Sequence, residues 1–154
     1  MKFIFLVAGF YLMFFISCQT QNSIHRLNFE ELANTEFGSE MSSQHRLIAS
    51  QTEFEQIYRK VYAHQMPTPT IPAIDFSKNK VLFIHFGTFS HGGNSFRTDS
   101  ITYYDKILKV YLQTSSPGLG QPTISVITHP FLMLKIENLT ETPEKIEILK
   151  NKTK

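Results

Sequence analysis

Val81-Leu82-Phe83-Ile84-His85-Phe86 (VLFIHF, residues 81–86) is the stretch on which the fold turns. It is a continuous apolar run, rich in β-branched and aromatic side chains, with no alternation of polar and apolar positions. A strand with that pattern is buried on both faces rather than half-wet. It is therefore expected at the centre of a sheet.

Working outward from it, the chain after Phe86 breaks into Gly87 to Asn94 and resumes as strand from Phe96 to Tyr104. A second strand, Ile107 to Gln113, follows a short turn at Asp105-Lys106. Ser115 to Gly120 is a loop by composition. Ile124 to Thr128 reads as a strand interrupted by His129-Pro130 and resumed from Phe131 to Ile136. Glu144 to Lys150 (EKIEILK) alternates and reads as a last strand with one wet face.

On the other side of the run, Lys78-Asn79-Lys80 is a polar turn. The three prolines of Met66 to Pro72 exclude helix and central strand, which leaves an extended crossover. Before it, Ser50 and Glu53 form a capping-box pattern, with Thr52-Glu55 as a second frame. Phe54, Ile57, Tyr58, Val61 and Tyr62 then fall on one helical face. This helix has too few basic residues for a membrane-surface helix, so its apolar face is expected against the sheet. Leu27 to Phe37 fits strand better than helix, with a turn near Gly38-Ser39. The expected fold is α+β: a mostly antiparallel sheet of six or seven strands with one main amphipathic helix packed on it.

Length and charge narrow the function. At 154 residues the chain suits a single domain. The formal charge is +2, and Lys2 supplies one unit, so a chain starting at Cys18 carries +1. That balance leaves no electrostatic footprint for nucleic acid.

The amino-terminal end carries the clearest signal. Lys2 is followed by an uncharged apolar run from Phe3 to Ile16. The run is short for a membrane span and suits the core of a signal peptide. Phe15-Ile16-Ser17-Cys18 closes it, and Cys18 is the single cysteine. This end resembles a bacterial lipoprotein signal, with Phe15 where leucine is usual. The resemblance implies removal of residues 1–17, lipidation of Cys18 and acylation of the new amino terminus. Residues 18–26 would then be a polar tether and 27–154 the domain. Several acyl chains anchor a protein firmly where one does not, so the expected location is the bacterial cell envelope, held to the membrane (the outer membrane) through Cys18. A lipidated Cys18 leaves no thiol for a disulfide, redox centre or nucleophile.

Catalytic patterns are scarce. His85, His91 and His129 invite a metal reading, and His91 and His129 could share one end of the sheet, but no H-x-x-x-H, H-x-H or C-x-x-C spacing occurs. There is no G-x-S-x-G elbow. Gly92-Gly93 is not followed by a helix whose N-terminus could hold a phosphate. No catalytic residue, metal site or cofactor is therefore assigned. The segment Ser90-His91-Gly92-Gly93-Asn94 stands out instead as a candidate recognition loop. Its glycines and asparagine take positive φ at least cost, so it is also expected to turn a hairpin between strands 81–86 and 96–104. Placed at that tip, the His91 side chain would be solvated.

Ile74-Asp75-Phe76-Ser77-Lys78, Val81-Leu82, Phe86-Gly87, Gly92-Gly93 and the strand near Phe96 to Tyr103 together resemble the PrcB-like family, a protease-complex-subunit domain of exported bacterial lipoproteins. Thr128-His129-Pro130-Phe131 is similar to a later element of that family, and the helix from Thr52 to Tyr62 lies where the family has one. The resemblance spans about residues 45–137. Ser90-His91 and Asn94 depart from the proline or threonine and the aromatic found around the family's Gly-Gly pair. What the resemblance implies is a non-catalytic domain that binds or stabilises a protease complex. Beside it stands a second reading, a small cell-envelope hydrolase or metal-binding protein.

Overall fold

In the computed structural model, which describes residues 24–118, 120 and 123–152, eight strands and one helix follow in chain order. These are β1 (His25–Leu27), β2 (Phe29–Thr35), β3 (Gln44–Ile48), α1 (Gln51–Val61), β4 (Lys80–His85), β5 (Ser95–Tyr104), β6 (Ile107–Ser115), β7 (Phe131–Ile136) and β8 (Lys145–Lys152). The α+β class with mostly antiparallel strands is borne out. The strands divide into two four-stranded sheets, ordered β1-β5-β6-β8 and β2-β7-β4-β3. Only β6 and β8 pair in parallel among them.

β4 is central, between β7 and β3, and its continuous apolarity has a direct cause. Val81 and Phe83 point to a layer formed by α1, while Leu82, Ile84 and the following Phe86 point between the sheets. β7 is built the same way: Phe131 and Met133 face the helix, and Leu132, Leu134 and Ile136 face the other sheet. The order of layers is thus helix, sheet, sheet. The outer sheet has one wet face and alternates accordingly, with Leu108, Val110 and Leu112 of β6 fully buried between more exposed neighbours.

The helix begins where the capping pattern puts it. Ser50 is extended (φ −143°, ψ 151°), and its hydroxyl accepts from the Glu53 amide at 3.3 Å. Phe54, Tyr58 and Val61 are buried against the sheet. The Phe54 ring lies 5.5 Å from Tyr58 and 6.2 Å from Phe76. Phe76 belongs to a turn organised by Asp75, whose Oδ1 accepts from the Ser77 hydroxyl (2.5 Å) and amide (3.1 Å). Those two bonds lower the Asp75 pKa. The Asp-Phe-Ser-Lys motif therefore leads the chain into β4 and plugs the helix layer with an aromatic ring.

Three expectations are corrected. Residues 25 and 26, read as the end of the tether, belong to β1, which pairs His25 with Tyr103. Ile124 to Thr128 is not a strand; that stretch makes one isolated bridge, from Thr128 to Phe89. Most important for the site, β4 and β5 are not a hairpin. They lie in different sheets, so the Gly-Gly segment carries the chain across the sandwich. The pairing of β4 explains this: β3 and β7 occupy both of its edges, so β5 goes to the other layer. The signal run and Cys18 lie outside the described residues.

Strand pairing also fixes the two ends of the sandwich. One end, the loop end, gathers the ends of β2, β4 and β6 and the starts of β5 and β7. The opposite end carries β1, the β5–β6 turn and the segment after β7. The chain enters the described domain there, at Ile24-His25.

Candidate functional site at the loop end

The Gly-Gly segment is clamped at its base. Phe86 precedes it and Phe96 follows it, and the two rings stack at 3.6 Å and 10° in the space between the sheets. Phe89 meets Phe96 edge-on at 6.0 Å. Offset and edge-on aromatic pairs contribute beyond their buried area, so the crossing is pinned on both sides.

Within the segment, polar bonds do the rest. Asn94 is buried; its Nδ2 donates to the His91 carbonyl (3.0 Å) and its Oδ1 accepts from the Ser116 hydroxyl (2.9 Å). The His91 carbonyl also accepts from the Thr128 hydroxyl at 3.3 Å. Gly93, at φ +86°, donates its amide to Glu36 Oε2 at 3.0 Å. A Cβ there would lie 3.0 Å from Pro117 Cγ. Gly92 donates to the Ile124 carbonyl, and Phe89 and Thr128 exchange two backbone bonds. Of the five candidate recognition residues, Ser90 and Gly93 are exposed, His91 is half-buried, and Gly92 and Asn94 are buried. The expected solvated His91 tip is thus corrected: the segment is a strut tied to Glu36, just after β2, and to Ser116, Ile124 and Thr128.

The tied segments meet at a groove of about 360 Å³, lined by Phe37, Gly38, His64, Gln65, Ile127 and His129 among others. Phe37 is 70% exposed and Ile127 66%; Ile124 and Met66, beside the same segments, are 76% and 87% exposed. Four of the seven large exposed hydrophobic side chains of the described residues are therefore carried by the segments that build this end. Of these, Phe37 and Ile127 line the groove together.

Gly38 holds Phe37 in place. Its amide donates to the His129 carbonyl at 3.1 Å. The approach is so close that a Cβ would fall 2.7 Å from Phe131 Cδ1 and 2.8 Å from that carbonyl. Ser39 next ties its amide and hydroxyl to the Val61 carbonyl at the end of α1. Behind it, the ring of buried His85 is used twice: Nδ1 accepts from the Gly87 amide and Nε2 lies 3.1 Å from the Ser39 carbonyl. With Nδ1 accepting, Nε2 carries the proton and donates. Burial lowers the His85 pKa, against the Ser39 carbonyl, and His129 adds to the lowering.

His91 and His129 do share this end, as their positions suggested. They do not converge: His129 Nδ1 is 3.2 Å from the Thr88 hydroxyl, and His91 Nδ1 is 3.2 Å from the Gly92 carbonyl. Among the described residues, no group of three His, Cys, Asp or Glu side chains is placed to hold a metal ion.

A family match covers part of this end. Residues 80–137 match the PrcB C-terminal family. The PrcB-like resemblance read from the sequence is borne out over that span. The PrcB C-terminal match comprises β4, β5, β6 and β7, the two inner strands of each sheet, with the Gly-Gly segment and the residues that join β6 to β7. It begins after Asp75–Lys78 and after α1, so the turn and the helix lie outside it. Phe37, on the β2 side of the groove, lies outside it too, while Ile127 and His129 lie inside. No curated protein and no solved structure matches the chain.

Proposed function

We propose that this chain is an exported lipoprotein of the bacterial cell envelope whose domain binds a protein, a protease or a member of its complex, and catalyses no reaction itself. The observation that carries the proposal is the loop end: exposed apolar side chains on segments locked by buried polar bonds and an aromatic clamp. A preorganised apolar surface binds at lower entropic cost than a loop that must order on contact. The PrcB C-terminal match supports a protease complex as the partner, and the signal-like run ending at Cys18 supports the lipid anchor.

Affinity capture of the full-length chain from its own cells, with identification of the co-purifying proteins, tests this. Recovery of a protease or a protease-complex chain in stoichiometric amount is the expected result. Recovery of the chain alone, together with turnover in a hydrolase screen, would favour the enzyme reading.

A further inference from the structure

We infer that the groove between Phe37 and Ile127 faces away from the membrane and takes an apolar side chain of a partner protein standing beyond the domain. This rests on the anchored-binding-module reading and adds to it the contact site, its orientation and the partner's chemistry. Three placements support it.

The first is the position of the tether. The described chain enters at Ile24-His25, and β1 pairs His25 with Tyr103 at the far end of β5. The groove is at the opposite end, beside the start of β7 and the loop before it. β5 is 10 residues long, and at about 3.3 Å per residue the two ends are about 30 Å apart.

The second is the length of chain available. From Cys18 to the start of β1 there are six residues, Gln19 to Ile24, which reach at most about 20 Å when fully extended. To lay Phe37 and Ile127 on the bilayer, that segment would have to run back along the whole sandwich. It is too short to do so. The apolar end is therefore held in water, where a protein can cover it and the anchoring membrane cannot. A second copy is disfavoured by the same geometry: copies anchored in one leaflet stand parallel, so their loop ends point the same way instead of at each other.

The third is the chemistry of the groove. Phe37 and Ile127 form its apolar walls. Glu36, the one carboxylate lining it, already accepts from the Gly93 amide. A bulky aliphatic or aromatic side chain would cover these two exposed walls and take their apolar surface out of water, with Thr35, His64, Gln65 and His129 as the polar rim around it.

The test uses the full-length chain in its own cells, with a photo-cross-linking residue replacing Phe37 or Ile127 in turn, and Tyr104 as the opposite-end control. Phe37, Ile127 and Tyr104 are all exposed, so the replacements leave the fold intact. The expected result is a protein adduct from Phe37 and Ile127, with the adducted partner site in an apolar segment, and none to that protein from Tyr104. Lipid adducts from Phe37 or Ile127 overturn the orientation. An adduct to a second copy of this chain overturns the choice of partner. If the protein captured by the unmodified chain is adducted from Tyr104 and not from Phe37 or Ile127, the groove assignment falls while the binding function stands. If no protein is captured or adducted from any position, the binding function falls and this inference with it.

Discussion

Replacing Gly38 by alanine isolates the contact on which the loop end depends. In a permissive site this change stabilises a protein by about 0.4–1 kcal/mol, because the unfolded chain loses freedom. Here the new methyl would sit 2.7 Å from Phe131 Cδ1 and 2.8 Å from the His129 carbonyl. Neither neighbour can easily give way. Phe131 is fully buried, with Tyr62 edge-on at 5.3 Å and Phe83 at 6.2 Å, and the His129 carbonyl is backbone already bonded to the Gly38 amide. Overpacking of this kind costs about 1–3 kcal/mol, and weakening the amide bond adds about 1 kcal/mol. Set against the gain in the unfolded chain, the net loss is about 2 kcal/mol. In a domain of this size that lowers the melting temperature by about 8 °C. Urea denaturation gives the same quantity through the midpoint at constant slope. A midpoint that is unchanged or higher would show that the chain after β2 does not approach Phe131 this closely, and the placement of Phe37 beside the groove would fall with it.

Other outcomes follow from the same structure. Phe54→Ala empties a fully buried ring site under the helix and should cost about 3–5 kcal/mol in chemical denaturation; a loss below about 1 kcal/mol would mean the helix face is not packed. Gly93→Val forces a β-branched residue to φ +86° against Pro117 and should destabilise by at least about 1–3 kcal/mol, read as a lowered urea midpoint; a neutral result would refute the strut. His85 has a folded pKa below its ordinary 6.5, so the unfolded chain binds the proton more readily. Its contribution is complete above pH 6.5 and is lost as the pH falls through the folded value. Stability should therefore drop as the pH falls below about 6.5, and His85→Gln should flatten that slope; equal slopes would show that His85 does not titrate between the two states. Cys18→Ser should release the protein from the membrane or leave it unprocessed, and unchanged detergent partitioning and mature mass would refute the lipoprotein reading.

Much of the fold could be read in the sequence because its strongest signals are local or periodic. The apolar run at Val81–Phe86 did mark the central strand, and Ser50 with the Phe54–Tyr62 face did mark the helix and its start. What could not be read depends on which sheet a strand joins. Gly92-Gly93-Asn94 has the composition of a hairpin turn, yet the chain crosses layers there, and the pinning comes from Phe86 and Phe96, ten residues apart, whose stacking has no periodic signature. Asp105 and Lys106 both take positive φ (49° and 59°) without a glycine or asparagine, held by Lys106 contacts to Glu144 in the approach to β8. Ile124–Thr128 has strand-like residues but spends its backbone bonds on the Gly-Gly segment and on itself, at Gly92, Phe89 and Val126, so tertiary context overrides its propensity. Gly38 was legible only as a turn residue; the need for a bare Cα against Phe131 is a long-range fact. The same holds for Phe37, an ordinary aromatic in sequence that becomes notable only when the fold leaves it exposed beside Ile127.

The central claim is that the loop end of this domain binds a protein. It is tested most directly by capturing partners from the native cells with the full-length chain and with the variant carrying Phe37→Ser and Ile127→Ser, after checking that both melt at the same temperature. Because both side chains are largely exposed, the account predicts equal stability, a protease-complex chain recovered with the unmodified protein, and its loss by tenfold or more with the variant. Equal recovery of that chain with both proteins would contradict the account.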